Sequence, residues 1–297
     1  MSSTPPRELI PQDLNDVTSI TIIQNLDGIA FASLIPLVLA IVSARGPTAA
    51  SSGNFETPFC TKFTHLLRQR AREPVVVSTI TSLLTRPPAS EDDLRLVSVA
   101  LWGVVSEISE DAMLSYRDAL ASLSAAEPDG RSDSEYTDSL VQQAKGIVRF
   151  MDNRADVWVP EHKGDCMATR SLKERVHTAR EMRPHVVGLL GWLQDRNWPP
   201  YAGCEAQLAR FPEITIMPIR KILIDHRGDG EWANNLLLFV QDHVPVGRNW
   251  EAMYPQVKAL VDCPTGDEEE NETSNYAKDW IKALDTWRST QEGLRCA

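Results

Sequence analysis

The amino-acid sequence predicts an all-α fold built from stacked pairs of helices. Three observations support this prediction. Apolar residues recur at helical spacing in nearly every segment, alternating strand-like patterns are almost absent, and prolines open successive apolar segments at intervals of 34 to 38 residues. Each observation indicates helices that bury one face against their neighbours.

Helical spacing is clearest in the C-terminal half of the chain. Trp232, Leu236 and Phe239 lie at positions i, i+4 and i+7, which puts their side chains on one face of a helix. Comparable spacing recurs along the chain, whereas Val75–Val77 is the one strong β-like triplet. Helix should therefore make up more than half of the residues.

Prolines mark a regular period. Pro184, Pro218 and Pro255 are each followed by aliphatic residues at the fifth and sixth positions; Pro36 shows the same pattern, and Pro74 shows part of it. Proline suits the first turn of a helix, where its missing N–H would have no partner in any case. Periods near 40 residues made of helix pairs are typical of HEAT-like or armadillo-like stacks, which form an α-solenoid or a compact α-α superhelix.

Composition suggests how the chain is divided. Its 297 residues are 42% hydrophobic, so a sizeable core can form. The acidic segment 124–140 has few apolar side chains to bury, which predicts a flexible linker or loop. We therefore expect an N-terminal helical region at 1–123, this linker at 124–140, and a C-terminal HEAT-like helical domain at 141–297.

Charge, cysteine content and hydropathy restrict the partners, the cofactors and the compartment that are expected for this chain. The net charge of −11 repels a phosphate backbone, so no nucleic-acid partner is expected. Five scattered cysteines without a C-x-x-C pair, and an N-terminus without a secretory signal, favour reduced thiols in the cytoplasm. Histidines and cysteines lack metal-ligand spacing, so neither a metal nor a cofactor is predicted. The most apolar run, 29–42, is shorter than the roughly 20 residues that cross a bilayer, so no membrane association is expected.

The best candidate site is the turn that leads from Trp192 to Pro200. Trp198 precedes Pro199, and the residue before a proline disfavours helical backbone angles, so a helix has to break there. Asn197 is expected to cap the helix that follows. Aromatic, amide and carboxylate groups thus cluster at a corner between helices, and the candidate binding residues are Trp192, Asp195, Asn197, Trp198 and Trp232, the last arriving from a neighbouring helix.

Two interpretations of this corner are open. In the first, the aromatic side chains form a small recognition pocket or a docking corner for a peptide, since tryptophan often anchors interfaces. In the second, Trp192 and Trp198 pack the helices together while Asp195 and Asn197 hold the turn. The sequence favours packing, because Trp198 joins two helices whose other faces are already apolar.

The same run carries a family resemblance. Gly191–Pro199, with the sequence GWLQDRNWP, resembles the tryptophan, leucine, asparagine, tryptophan and proline signature of an uncharacterised family, the domain of unknown function 5071. The resemblance extends from about Arg175 to Leu284, somewhat over a third of the chain, and includes the Pro218 helix. It implies a small HEAT-like α-bundle and supplies no established activity.

These patterns favour a non-catalytic helical-repeat protein that binds or scaffolds a protein or peptide partner. The alternative is an enzyme with an acid–base site at the Trp192–Trp198 corner, in which Asp195, His226 and Glu231 would act. An enzyme should place a carboxylate in a concave pocket beside a second titratable group, whereas a binding module should expose aromatic or apolar surface. The basic stretch 163–183 either binds an acidic partner or pairs with the protein's own acids.

Overall fold

A computed structural model describes residues 6–44, 57–86, 90–126 and 134–296, and every regular element in these ranges is a helix. Well over half of the described residues are helical, and no strand occurs among them, which confirms the predicted all-α fold. The β-like triplet Val75–Val77 lies inside a helix. Within the same ranges, no helix combines the length and the apolar character that a bilayer crossing needs.

The chain forms two compact units. The first comprises residues 1–156 and 164–167, and the second comprises 157–163 and 168–297. The short segment 157–163 therefore belongs to the second unit although the residues that follow it, 164–167, belong to the first. Each unit is described separately below.

The first unit is a bundle whose core contains a row of three phenylalanines. The Phe31 and Phe63 rings stack with centroids 5.4 Å apart, and Phe59 stacks on Phe63 at 6.3 Å. Asp27 begins one helix by accepting a hydrogen bond from the Ala30 N–H at 2.8 Å. The helices of this unit are α1 (Ile20–Gln24), α2 (Gly28–Ser43), α3 (Pro58–Gln69), α4 (Pro74–Thr85), α5 (Glu91–Gly103), α6 (Glu110–Met113), α7 (Arg117–Ser124) and α8 (Ser134–Asp152), with 3-10 turns at Pro6–Leu9, Val105–Glu107 and Leu114–Tyr116.

One of the predicted proline markers is misplaced. Pro74 is the first residue of α4, as the pattern predicts, but Pro36 lies in the middle of α2 rather than at its start. The helix already begins at Gly28, because Asp27 caps it and the apolar spacing continues without a break through Val42. The interval of 38 residues between Pro36 and Pro74 therefore does not relate two equivalent helix starts.

The described parts of the acidic segment 124–140, residues 124–126 and 134–140, belong to the first unit. Helix α7 ends at Ser124, α8 begins at Ser134, and residues 127–133 lie outside the described ranges. Helix α8 packs against α7 and buries Ile147 and Phe150, so residues 141–156 pack with the first unit rather than with the C-terminal one. The division between the units comes after α8, later in the chain than composition indicates.

The second unit has a larger aromatic core. Trp250 and Trp280 stack at 4.6 Å between centroids, and both are buried. Its helices are α9 (Cys166–Arg175, of which the first two residues count with the first unit), α10 (Ala179–Met182), α11 (Val186–Gly191), α12 (Tyr201–Leu208), α13 (Ile216–Asp225), α14 (Gly230–His243), α15 (Arg248–Glu251), α16 (Tyr254–Asp262), α17 (Gly266–Glu270) and α18 (Thr273–Cys296), with 3-10 turns at Arg183–His185 and Pro212–Ile214.

Prolines open neighbouring helices in this unit. Pro184 lies in the 3-10 turn directly before α11, while Pro218 and Pro255 lie in the first turns of α13 and α16. Helix α13 contacts both α11 and α16. Hydrogen bonds between helices join residues about one proline interval apart: 36 residues for Arg220 to Gln256 and 42 residues for Trp232 to Leu190. These two bonds join neighbouring helices of the second unit.

Candidate functional site

The turn between α11 and α12 is organised by the Asp195 carboxylate. The carboxylate Oδ1 accepts a hydrogen bond from the Asn197 N–H at 2.7 Å. The backbone carbonyl of Asp195 accepts a second one from the Trp198 N–H at 3.1 Å. The Tyr201 N–H then donates to the Trp198 carbonyl at 2.9 Å, which starts α12. Because these bonds are local, the turn has a defined shape before any partner binds.

Asn197 does not cap the following helix as the sequence predicts. The residue at the cap position of α12 is Pro200, which has no side-chain cap, and the Asn197 side chain is exposed. Two consecutive prolines move the helix start to Tyr201, four residues beyond Asn197, since helical geometry is disfavoured directly before each of them. Asn197 therefore remains a solvent-facing amide beside Trp198.

Trp192 and Trp198 form an aromatic pair at this turn. Their ring centroids are 5.4 Å apart and the ring planes meet at 74°, so the edge of one indole faces the other. Both residues are half-buried. Trp192 packs against the hydrophobic core of the unit, whereas Trp198 is not among the described residues that do so. Trp198 is thus less closely tied to this core than Trp192 is, a difference between the two tryptophans that the sequence does not predict.

A non-helical segment, 157–163, completes the site. It passes close to α11, where a Cβ at Gly188 would lie 3.1 Å from a Val159 methyl group, so glycine allows the approach. Pro160 then accepts a hydrogen bond from the Trp192 Nε1–H at 2.8 Å. Lys163 places its ammonium group 5.1 Å from the centroid of the Trp198 ring, a cation–π contact. We call Trp192, Trp198, Pro160 and Lys163 the tryptophan corner.

A second cation borders this corner. The guanidinium carbon of Arg196 lies 5.9 Å from the centroid of the Tyr201 ring. Tyr201 is buried, and the burial raises the pKa of its hydroxyl, so the phenol stays neutral. Arg196 itself is exposed. The turn therefore presents a half-buried indole beneath the Lys163 ammonium group, with the exposed Arg196 two residues before it in the chain.

Trp232 supports the turn from the inside and does not line the corner. It is only 5% exposed, and its Nε1–H donates to the Leu190 carbonyl at 3.0 Å. On the same helix, the Asn235 amide donates to the carbonyls of Leu193 and Gln194 at 3.0 and 3.2 Å. Helix α14 thus holds the carbonyl groups at the end of α11. Four of the five predicted binding residues share the turn, and Trp232 lies behind it.

A very small cleft, open to solvent, is lined by Trp232 and His226. The His226 ring meets the Trp232 ring there at 4.9 Å between centroids. The floor holds an ion pair between Arg227 and Glu268 at 2.7 Å, and Glu268 is 1% exposed. The Gly228 and Thr265 N–H groups also donate to this carboxylate, at 3.2 and 2.8 Å. Because Glu268 is fully engaged, the pair ties two inter-helix loops together.

The structure places the residues of the alternative enzyme hypothesis in three different settings. Asp195 organises the turn before α12, His226 lies against Trp232 at the cleft, and Glu231 is exposed in the first turn of α14. The cleft is lined by His226 but by neither of the two carboxylates. These three side chains therefore do not form one acid–base group.

The remaining candidates for chemistry are dispersed. Among the described residues, no group of three histidine, cysteine, aspartate or glutamate side chains could hold a metal ion. Cys166 has its pKa raised to about 12, first because the thiol is removed from water and then because the Asp165 and Glu107 charges are near. In the basic stretch, Arg170 pairs with Glu174 at 2.7 Å on its own helix.

No sequence pattern predicts that the segment 157–163 contributes to the tryptophan corner. Lys163 belongs to the basic stretch that the sequence shows, but no pattern indicates that its ammonium group lies on Trp198. Pro160 acts through its carbonyl, a group that every residue carries. The one usable signal is the proline that interrupts an aromatic and aliphatic run, VWVP, which favours an extended segment over a helix.

Comparisons with known proteins bear on the C-terminal part of the chain alone. No curated protein and no solved structure matched the chain. The matched family region begins at Trp158, so it includes the segment that completes the tryptophan corner as well as the GWLQDRNWP run, and it starts earlier than the resemblance in the sequence indicates. Residues 158–281 match the family model described as Domain of unknown function (DUF5071).

Proposed function

We propose that this protein is a non-catalytic helical-repeat protein that binds a protein or peptide partner at the tryptophan corner, in the cytoplasm. The observation that carries the proposal is the half-buried Trp198 ring, held against the edge of Trp192 and beneath the Lys163 ammonium group. Tryptophan is enriched among the residues that dominate binding energy at interfaces.

The geometry supports binding because the corner is ordered in advance. The Trp192 ring is fixed by its hydrogen bond to Pro160, and the turn that carries Trp198 is fixed by Asp195. A partner would then lose little of its binding energy to ordering these side chains. A large aromatic surface at low entropic cost is what a docking site for a short peptide requires.

The fold supports the same proposal. Helix α13 contacts α11 and α16, and each of the three has a proline in or just before its first turn. This arrangement supports a HEAT-like stack, whose exposed helix faces form extended binding surfaces. The net charge of −11 favours protein partners over nucleic acid. The described cysteines are free thiols, which supports the cytoplasm as the compartment.

The proposal is tested with peptides selected from an unbiased display library against the full-length protein. Binding of each selected peptide is then measured by calorimetry for the wild type, Trp198→Ala and Trp287→Ala. Trp287 is the matched control, because it is also half-buried in the second unit but lies far along the chain in α18. We expect Trp198→Ala to weaken binding at least about tenfold and Trp287→Ala to leave it unchanged. Selected peptides that bind Trp198→Ala as tightly as the wild type would contradict the proposal.

A further inference from the structure

The indole N–H groups of the second unit are used in different ways. Three of them donate to backbone carbonyls: Trp192 to Pro160, Trp232 to Leu190 and Trp250 to Val244, at 2.8, 3.0 and 3.2 Å. The Nε1–H of Trp198 donates to none of the residues that the structure describes, and it is not buried, whereas the unpaired Nε1–H of Trp280 is. The Trp198 indole therefore offers a hydrogen-bond donor at the surface of the protein.

The side chains beside Trp198 add further donors. The Lys163 ammonium group is exposed, and it forms an ion pair with no carboxylate in the described part of the chain. The Arg196 guanidinium group is exposed as well. The acceptors that hold the corner in shape, Asp195 Oδ1 and the Pro160 carbonyl, are each engaged by an N–H group of the protein. A ligand of this corner should therefore bring acceptors rather than donors.

A proline-rich peptide complements such a surface. Each proline has a backbone carbonyl but no N–H, and consecutive prolines form a polyproline II helix whose carbonyls have no internal partners. Peptides of other conformations fit less well, because a strand brings one N–H for every carbonyl and an α-helix uses its carbonyls internally. The polyproline II helix is also ordered before binding, and aromatic-lined surfaces bind it through its apolar rings.

We infer that the partner of the tryptophan corner is a proline-rich segment in the polyproline II conformation, a refinement that rests on the binding function proposed above. A proline ring of the partner packs on the exposed part of the Trp198 indole, and a carbonyl next to that proline accepts a hydrogen bond from the Trp198 Nε1–H. Trp192 contributes no donor to the partner, because its N–H is bonded to Pro160; its role is to hold the Trp198 ring in place.

Nuclear magnetic resonance of the full-length protein with isotope-labelled tryptophan follows the Trp198 N–H directly. The probe is octaproline, acetylated and amidated at its ends. The Trp198 indole cross-peak is the one that is missing from the spectrum of Trp198→Phe. Octaproline at millimolar concentration should move this cross-peak downfield, and it should move the Trp192 cross-peak less, since that N–H is already bonded. A Trp198 cross-peak that stays in place up to the solubility limit of the probe would overturn the inference.

A second peptide tests why proline is preferred. In this probe alternate prolines of octaproline are replaced by alanine, which keeps the length but restores N–H groups and flexibility. The same titration should show that it binds at least about fivefold more weakly than octaproline. Equal affinity of the two peptides would rule out recognition of the polyproline II helix.

Trp198→Phe tests the hydrogen bond, because phenylalanine keeps an aromatic ring at the position and lacks the N–H. Measured by calorimetry, this variant should raise the dissociation constant of octaproline about fivefold, the usual effect of one neutral hydrogen bond. Trp287→Phe, at a half-buried position in α18, is the matched control and should leave the constant unchanged. Equal effects of the two variants, or no effect of either, would contradict the role assigned to the Trp198 N–H.

The display experiment distinguishes failure of this inference from failure of the proposed function. Selected peptides that are poor in proline, yet lose affinity for Trp198→Ala, would overturn the proline-rich partner and leave the binding function in place. Selected peptides that bind Trp198→Ala as tightly as the wild type would overturn both.

Discussion

Replacing Trp198 by alanine tests whether this half-buried side chain is a surface anchor or a core residue. The side chain makes two specific contacts, the edge-to-face contact with Trp192 and the cation–π contact with Lys163. The first contributes about 0.5–1.5 kcal/mol and the second about 0.5–1 kcal/mol at an exposed position. The loss of these two contacts should therefore lower the free energy of unfolding by about 1–2.5 kcal/mol.

Trp232 supplies the comparison. It is 5% exposed, packs in the hydrophobic core, and donates a hydrogen bond to the Leu190 carbonyl at 3.0 Å. Truncating a buried tryptophan to alanine costs about 3–5 kcal/mol. Trp232→Ala should thus destabilise the second unit by about twice as much as Trp198→Ala, although both residues are tryptophans from the same unit.

Equilibrium unfolding in urea, followed by tryptophan fluorescence, measures this difference. Seven of the eight tryptophans lie in the second unit, so the signal reports on the unit that carries both substitutions. Trp287→Ala, half-buried in α18, is the control for the loss of one fluorophore. If Trp198→Ala cost as much as Trp232→Ala, Trp198 would be a core residue and the tryptophan corner would lose its role as a binding surface.

Three further predictions concern other parts of the chain. Arg227→Ala should lower the free energy of unfolding by about 1–3 kcal/mol, because Glu268 would stay buried without its cation; an unchanged urea midpoint would contradict this. Hydrogen bonds, those from backbone N–H groups foremost, lower the pKa of Glu181, so its carboxylate stabilises the fold above the unfolded-state pKa and loses this effect as the pH falls through the folded one. Thermal melts of Glu181→Gln should thus lie below those of the wild type near neutral pH and converge with them in strong acid; a constant gap would refute this. When the native protein is treated with iodoacetamide, mass spectrometry should find the exposed Cys263 modified early. Cys166 should be modified late, because its pKa is about 12 and little thiolate is present. The reverse order would be inconsistent with that pKa.

Local patterns in the sequence predict the helices and the turn at the candidate site. The spacing of Trp232, Leu236 and Phe239 predicts α14, and all three side chains are buried. Trp198 before Pro199 predicts the break between α11 and α12, because the restriction acts on adjacent residues. Pro36 shows where the same reasoning fails, since a capping aspartate nine residues earlier begins the helix.

The boundary between the two units was less accessible to sequence reasoning. A polar, acidic segment has the same composition whether it joins two domains or forms a loop between helices of one unit. The deciding fact is that α8 buries Ile147 and Phe150 in the first unit, and which helix covers an apolar face depends on the whole arrangement of the unit.

The sequence by itself determined that this protein is helical, that prolines lie at or just before the start of three helices of the second unit, and that Trp192, Asp195, Asn197 and Trp198 share one turn. Only the tertiary structure decided that Trp198 is half-buried beneath Lys163 while Trp232 is buried behind the turn. The physical reason is the range of the interactions. Backbone preferences and helical periodicity act between residues close in sequence, whereas burial depends on which distant segment covers a side chain.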